Sequence, residues 1–208
     1  MASRVRRDRA DIRRLLLEAA IAEFAENGFE GASTISIADR ADAHQPQINY
    51  HFASKAELWR AAMDHLFAQL DEDLGQFDLD ADPAQNFALF LRRFVEYCAE
   101  RPQLNQIMVQ EATAASERLE WLVDRHIRPR YSGLVALWTQ LQELGVAAPI
   151  DVRLFHHVLM GAVSLPYTVR LELELLTGAD PSDPALIDAH IDGLVATLLP
   201  GLGNSMTS

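Results

Sequence analysis

Residues 34–57 read Thr34-Ile-Ser-Ile-Ala-Asp-Arg-Ala-Asp-Ala-His-Gln-Pro-Gln-Ile-Asn-Tyr-His-Phe-Ala-Ser-Lys-Ala-Glu57. Two short helices, a tight turn and the start of a third helix fit into about two dozen residues, the size and punctuation of a helix-turn-helix. Thr34 is suited to cap a helix whose apolar positions Ile35, Ala38 and Ala41 fall three apart on one face. Asp42-Ala43-His44 breaks that pattern. Pro46 belongs in a first helical turn, where its missing N–H has no partner to lose, so a second helix starts near His44 or Gln45 and ends near Phe52. Ser54 and Glu57 have the spacing of a capping box, which starts a long helix at Lys55. Its apolar residues Trp59, Ala62, Met63, Leu66 and Leu70 form one buried stripe.

Upstream, Leu17, Ala20, Ile21 and Phe24 repeat at i, i+3, i+4, i+7. They predict a first helix from about residue 8 to 27, which Gly28 ends in the left-handed conformation. Three helices therefore precede the long fourth one.

From Ile12 to Ala62 the chain resembles the DNA-binding domain of the tetracycline-repressor (TetR) family of bacterial transcription regulators. The likeness rests on Phe24-Ala25-Glu26-Asn27-Gly28-Phe29, on Ile35 to Ala41, and on Tyr50-His51-Phe52 followed by Ser54-Lys55, in this order and spacing. Asp42 stands where the family usually has a turn glycine, and His44 replaces the usual small hydroxyl cap of the recognition helix. The resemblance implies an all-α fold with an N-terminal three-helix helix-turn-helix domain, residues 1–55, and a larger helical effector-binding and dimerisation domain, residues 56–208. It implies a ligand-responsive transcription regulator, a repressor released from its operator by a small-molecule effector.

The chain has 208 residues, 49% hydrophobic, and a net charge of −12. Residues 1–60 carry 9 Lys+Arg against 9 Asp+Glu, which leaves 9 against 21 for residues 61–208. The acidity thus belongs to the second part. Within residues 1–14, Arg4, Arg6, Arg7, Arg9, Arg13 and Arg14 oppose only Asp8 and Asp11, a local excess suited to attracting phosphate or to entering a minor groove. Lys55 is the only lysine and falls at a helix N-terminus, an end that already favours anions. A single cysteine, Cys98, excludes an internal disulfide and suits a reducing cytoplasm. Glu18 and Glu23 interrupt any signal-peptide apolar run, and no segment reaches the ~18 apolar residues of a membrane span.

By resemblance, Tyr50, His51 and Lys55 contact phosphates, as does Thr34. Such contacts set register and carry little sequence information. Gln45, Gln47 and Asn49 are suited to base edges, because an amide can pair both N6 and N7 of adenine; Ser36 is a lesser candidate. Phe52 and Trp59 are expected to be core.

The remainder reads as helix, at about 84–100, 103–115, 117–145 with a kink at Pro129, 151–177 and 184–199. Ile187, Ile191, Leu194, Val195 and Leu198 form one stripe of the last, and Gly161, Ala162 and Ser164 leave room for close approach in the one before. By resemblance these two helices pair with their copies in a homodimer, which implies a palindromic double-stranded DNA operator. Phe94, Tyr97, Met108, Trp121, Tyr131, Trp138, Phe155, His156, Met160 and Tyr167 supply the makings of a pocket for an apolar or aromatic effector, or simply a helical core. His156 and His157 are adjacent and diverge on a helix, so no metal is expected. No phosphate-cradling glycine loop, dinucleotide fingerprint, zinc-protease or nucleophile-elbow motif is present, so neither a cofactor nor catalysis is expected. The alternative is a helical small-molecule-binding protein or enzyme that kept the fold without DNA binding.

Overall fold

The computed structural model describes residues 9–75 and 81–202, and among them there is no strand. Helix α1 (Arg9–Gly31) buries Leu16, Leu17, Ala20, Ile21 and Phe24. Gly28 breaks it as expected, but with φ 66° and ψ 175°, after which a further helical turn runs to Gly31. That backbone favours glycine, and an added Cβ there would lie 3.0 Å from Gln110 Oε1. The same Gln110 amide donates to the Ala25 carbonyl at 2.8 Å, close to where the helical ladder is interrupted.

Helix α2 (Thr34–Arg40) is capped by Ser33, not Thr34: the Ser33 hydroxyl accepts the N–H of Ile35 at 3.2 Å and of Ser36 at 3.4 Å. Its inward face is Ile37, Ala38 and Ala41, all buried, while Ile35 is turned outward. Spacing alone had four apolar residues, Ile35, Ile37, Ala38 and Ala41, to choose from and selected a set of three containing the wrong isoleucine. Asp42 holds the turn at φ +48°, which Asp tolerates better than most residues. Helix α3 (Gln45–His51) follows with Pro46 in its first turn, and it anchors through buried Ile48 and Phe52.

Helix α4 (Lys55–Leu74) buries the whole expected stripe of Trp59, Ala62, Met63, Leu66 and Leu70. Then come α5 (Pro83–Glu100), capped by Asp82, and α6 (Gln103–Glu111), shorter than its expected 103–115. The expected 117–145 helix is three pieces: α7 (Glu117–Leu122), a π-helical turn Val123–Ile127, and α8 (Arg128–Glu143) with Pro129 in its first turn. The expected 151–177 helix is two, α9 (Val152–Thr168) and α10 (Arg170–Thr177), parted at Val169. Helix α11 (Pro184–Leu198) closes the series and buries Ile191, Leu194 and Leu198.

The described residues after α11, 199–202, return to the loop that follows α8. Gly201 N–H donates to the Val146 carbonyl at 3.0 Å, and a Cβ on Gly201 would meet the Gly145 carbonyl at 2.5 Å, so only glycine fits. The chain divides into two compact units. One contains residues up to Gln69 together with Gln106–Thr113; the other contains Leu70–Asn105 and the residues from Ala114 on. Helix α4 is continuous from the first unit into the second.

Candidate functional site

In the first unit the helix-turn-helix is fastened to α1 by one buried carboxylate. Glu23, 3% exposed, accepts the Ser33 N–H at 3.1 Å and the Ser36 hydroxyl at 2.7 Å, and pairs with Arg40 Nε at 3.1 Å. Arg40 also forks onto Glu26, with one bond of 3.0 Å. Those hydrogen bonds hold the Glu26 carboxyl below, and the Arg40 guanidinium above, its ordinary pKa. Ser36, a DNA candidate by sequence, therefore spends its hydroxyl inside the domain.

The other candidates fall on and around α3. Gln45 Nε2 donates to Thr34 Oγ1 at 3.4 Å, joining the starts of α2 and α3. Gln47 Oε1 accepts the His44 N–H at 2.7 Å, so its amide stabilises the start of the helix that it was expected to read with. Gln45 and Asn49 are exposed, and Tyr50 is 64% exposed with the half-buried His51 ring edge-on at 5.2 Å. Lys55 Nζ donates to the Glu30 carbonyl at 3.3 Å and lies 4.8 Å over the Phe29 ring, while Ser54 Oγ accepts the Glu57 N–H at 3.1 Å. Arg13, one of the N-terminal arginines expected to attract phosphate, has its guanidinium 5.2 Å over the Phe52 ring at the end of α3. Sequence reasoning did not select Ile35, which its apolar spacing assigned to the core but which is exposed. Arg4, Arg6 and Arg7 lie outside the described residues.

Of the effector candidates, Met108 falls in the first unit and the other nine in the second. Phe94, Tyr97, Trp138, Phe155 and Tyr167 are buried; Trp121, Tyr131, His156 and Met160 are half-buried. Trp138 and Phe155 stack at 4.0 Å with Phe87 5.4 Å from Trp138, an aromatic wall built by α5, α8 and α9. Tyr131 stands edge-on to His156 at 5.7 Å. The Trp138 indole N–H and His156 Nδ1 are buried and make no hydrogen bond among the described residues. Burial, and secondarily His157, keep the His156 pKa below its ordinary value, so the ring is neutral near pH 7. The wall thus combines aromatic surface with two uncharged polar atoms that need partners. Tyr167 is used differently: its hydroxyl meets His190 Nδ1 at 3.0 Å, and burial pushes it up to about 12. Cys98 is buried against Asn105 Nδ2 at 3.2 Å, and burial pushes its thiol up to about 12 as well, so it is no reactive sensor. No helix among the described residues is long and apolar enough to cross a membrane.

Residues 16–62 match the model of bacterial regulatory proteins of the tetR family. Residues 83–202 match that of the C-terminal domain of the HTH-type transcriptional dual regulator CecR. The chain is 29% identical over 109 residues to the HTH-type transcriptional repressor NicS of Pseudomonas putida, a match spanning 51% of either chain. It is 23% identical over 193 residues to the HTH-type transcriptional regulator RutR of Escherichia coli, spanning 91% of this chain and 90% of the relative. The crystal structure of AibR in complex with isovaleryl coenzyme A and operator DNA superposes with a TM-score of 0.73 at 19% identity, over 91% of this chain and 98% of that one.

Proposed function

Because the chain belongs to the tetR family of bacterial regulatory proteins, we propose that it is a homodimeric repressor that binds a palindromic operator and is released by a small-molecule effector. The observation that carries the DNA half is the outward row Gln45, Asn49 and Tyr50 on an α3 whose neighbour α2 is locked to α1 by Glu23. Gln45 and Asn49 are exposed, and Gln45 donates through Nε2, which leaves its carbonyl oxygen as an acceptor, so these two read base edges; Tyr50, His51 and Lys55 hold phosphates.

Dimerisation is supported by an exposed stripe on α9. Leu154, Val158, Gly161 and Leu165 recur at i, i+4, i+7, i+11, beside exposed Ala185, Ala189, Gly193 and Ala196 on α11. A second copy would bury both faces and set two recognition helices at a fixed spacing. The aromatic wall of α5, α8 and α9 supports the effector half, and AibR, similar in fold, is known with a small molecule and operator together. Coupling runs along α4. Its last turn is held within the second unit by three arginines: Arg130 on Asp71 at 3.1 Å, Arg101 on Asp73, and Arg93 on the Leu74 carbonyl. Its first turn adjoins α3. An effector that binds more tightly to a state with that last turn displaced weakens operator binding, and the operator weakens effector binding by the same factor.

The test is selection of duplexes from a random library by the purified full chain, repeated with Asn49 and Tyr50 both changed to Ala. Both are exposed, unlike Lys55, whose ammonium also closes α1. Enrichment of a palindrome that the double variant cannot bind is expected. Failure to enrich any sequence at low salt, with a folded dimer verified, would overturn the DNA-binding reading.

A further inference from the structure

Ile35 is 58% exposed, between a serine turned onto Glu23 and the backbone that Ser33 caps. A lone exposed isoleucine on an ordinary surface helix carries no information. This one sits on the turn that is hydrogen-bonded to the recognition helix, through Gln45 Nε2 to Thr34 Oγ1. Its place is fixed by its neighbours: Ser36 donates inward, Ile37 is fully buried, and Arg40 is held by Glu23 and Glu26. A rotation of α2 that hid Ile35 would have to break the Glu23 contacts. Resting on the DNA-binding reading above, we propose that Ile35 is a specificity residue that reads the C5-methyl group of a thymine in the operator's major groove.

The chemistry selects that target. An aliphatic side chain offers nothing to a phosphate oxygen, and it cannot satisfy the donors and acceptors on base edges. The one apolar group displayed in the major groove is the thymine methyl. The β-branched side chain is stiff at χ1, so little freedom is lost when it is pressed against a base. Gln45, at the start of α3, reads an adjoining edge by hydrogen bonds, so the two helix starts together present one polar and one apolar reader. The polar-only set of Gln45, Gln47 and Asn49 that spacing suggested leaves this contact out.

The experiment is a uracil scan of the selected operator with the full-length protein. Each dT is replaced by dU, which deletes only the methyl, first in one half-site and then symmetrically in both. Expected is one thymine position at which dU weakens the wild-type protein about fourfold per half-site and about fifteenfold in both. Ile35→Ala should bind the thymine operator more weakly by the same factor and be indifferent to dU at that position. Asn49→Ala should keep the dU penalty. Uracil tolerated at every position by the wild type would overturn the proposal, as would an undiminished dU penalty in Ile35→Ala. Equal weakening of specific and random duplexes by Ile35→Ala, or a fall in its thermal midpoint, would assign Ile35 to packing instead. Because the operator must first be recovered by selection, failure to recover any sequence strikes the DNA-binding reading itself and is told apart from failure of the scan.

Discussion

Glu23 is one carboxylate serving three donors from α2 and its cap, and it was invisible as such in the sequence, where it reads as a polar interruption of an apolar helix. Truncation leaves the Ser33 N–H, the Ser36 hydroxyl and one edge of Arg40 without their buried acceptor. Since Arg40 is partly exposed, we expect Glu23→Ala to cost about 2–3 kcal/mol in chemical denaturation, more than any exposed change on α3. Lys55 tests a different scale of effect. Lys55→Met should weaken binding to all duplexes alike and lower the slope of log affinity against log salt by about 1 per protomer, read from titrations at several salt concentrations. Residues whose environment is set by neighbours near in sequence were legible: Asp42 at positive φ, Ser54 at the start of α4, and Trp59 in the core. Ile35 and Ser36 were not, because which of two adjacent residues points inward depends on Glu23, ten or more residues away.

At the scale of elements, a proline inside a helix is tolerated where its lost hydrogen bond is repaired from outside the helix. Pro166 cannot donate to the Ala162 carbonyl one turn back, and His190 Nε2 on α11 bonds that carbonyl at 3.0 Å. His190 Nε2 must then carry the proton, leaving Nδ1 to accept from Tyr167. Helical spacing shows the proline but not the histidine 24 positions later that makes it tolerable, and α9 runs on past it to Thr168. In a double-mutant cycle, His190→Ala should cost about 1–3 kcal/mol with Pro166 present and clearly less in the Pro166→Ala background, where the helix supplies its own N–H. Pro129 stands in the first turn of α8, beside the π-helical turn, where the His126 carbonyl accepts from Arg130 at 2.6 Å. Burial lowers the pKa of both His156 and His190 below the ordinary 6.5. The unfolded chain therefore binds more protons, and the stability these rings contribute is present above about pH 6.5 and lost as pH falls through the lowered values. The unfolding midpoint should drop between pH 7 and pH 5, with a shallower drop in His156→Asn.

At the scale of the whole molecule, the order of helices, the helix-turn-helix and the acidic second part were legible because each leaves a local mark in composition or spacing. The ties on the last turn of α4 were not, since Asp71 and Arg130 are joined only by folding. Exposed ion pairs are individually weak, about 1 kcal/mol or less. Changing both Arg101 and Arg130 to Met is therefore expected to leave the fold intact while amide exchange at residues 69–74 speeds up about fivefold, measured by mass spectrometry. Unchanged exchange there would mean that the arginines hold nothing. The buried state of Cys98 has a practical meaning at this scale. A thiol held near 12 and shielded from solvent ignores labelling reagents, so the native chain behaves as though it had no cysteine. One cysteine engineered at exposed Ala53, just past α3, would carry the only spin label in each protomer, and a dimer would then act as its own ruler: a single pulsed-resonance distance, with and without a candidate small molecule, would report how far apart the two reading heads stand.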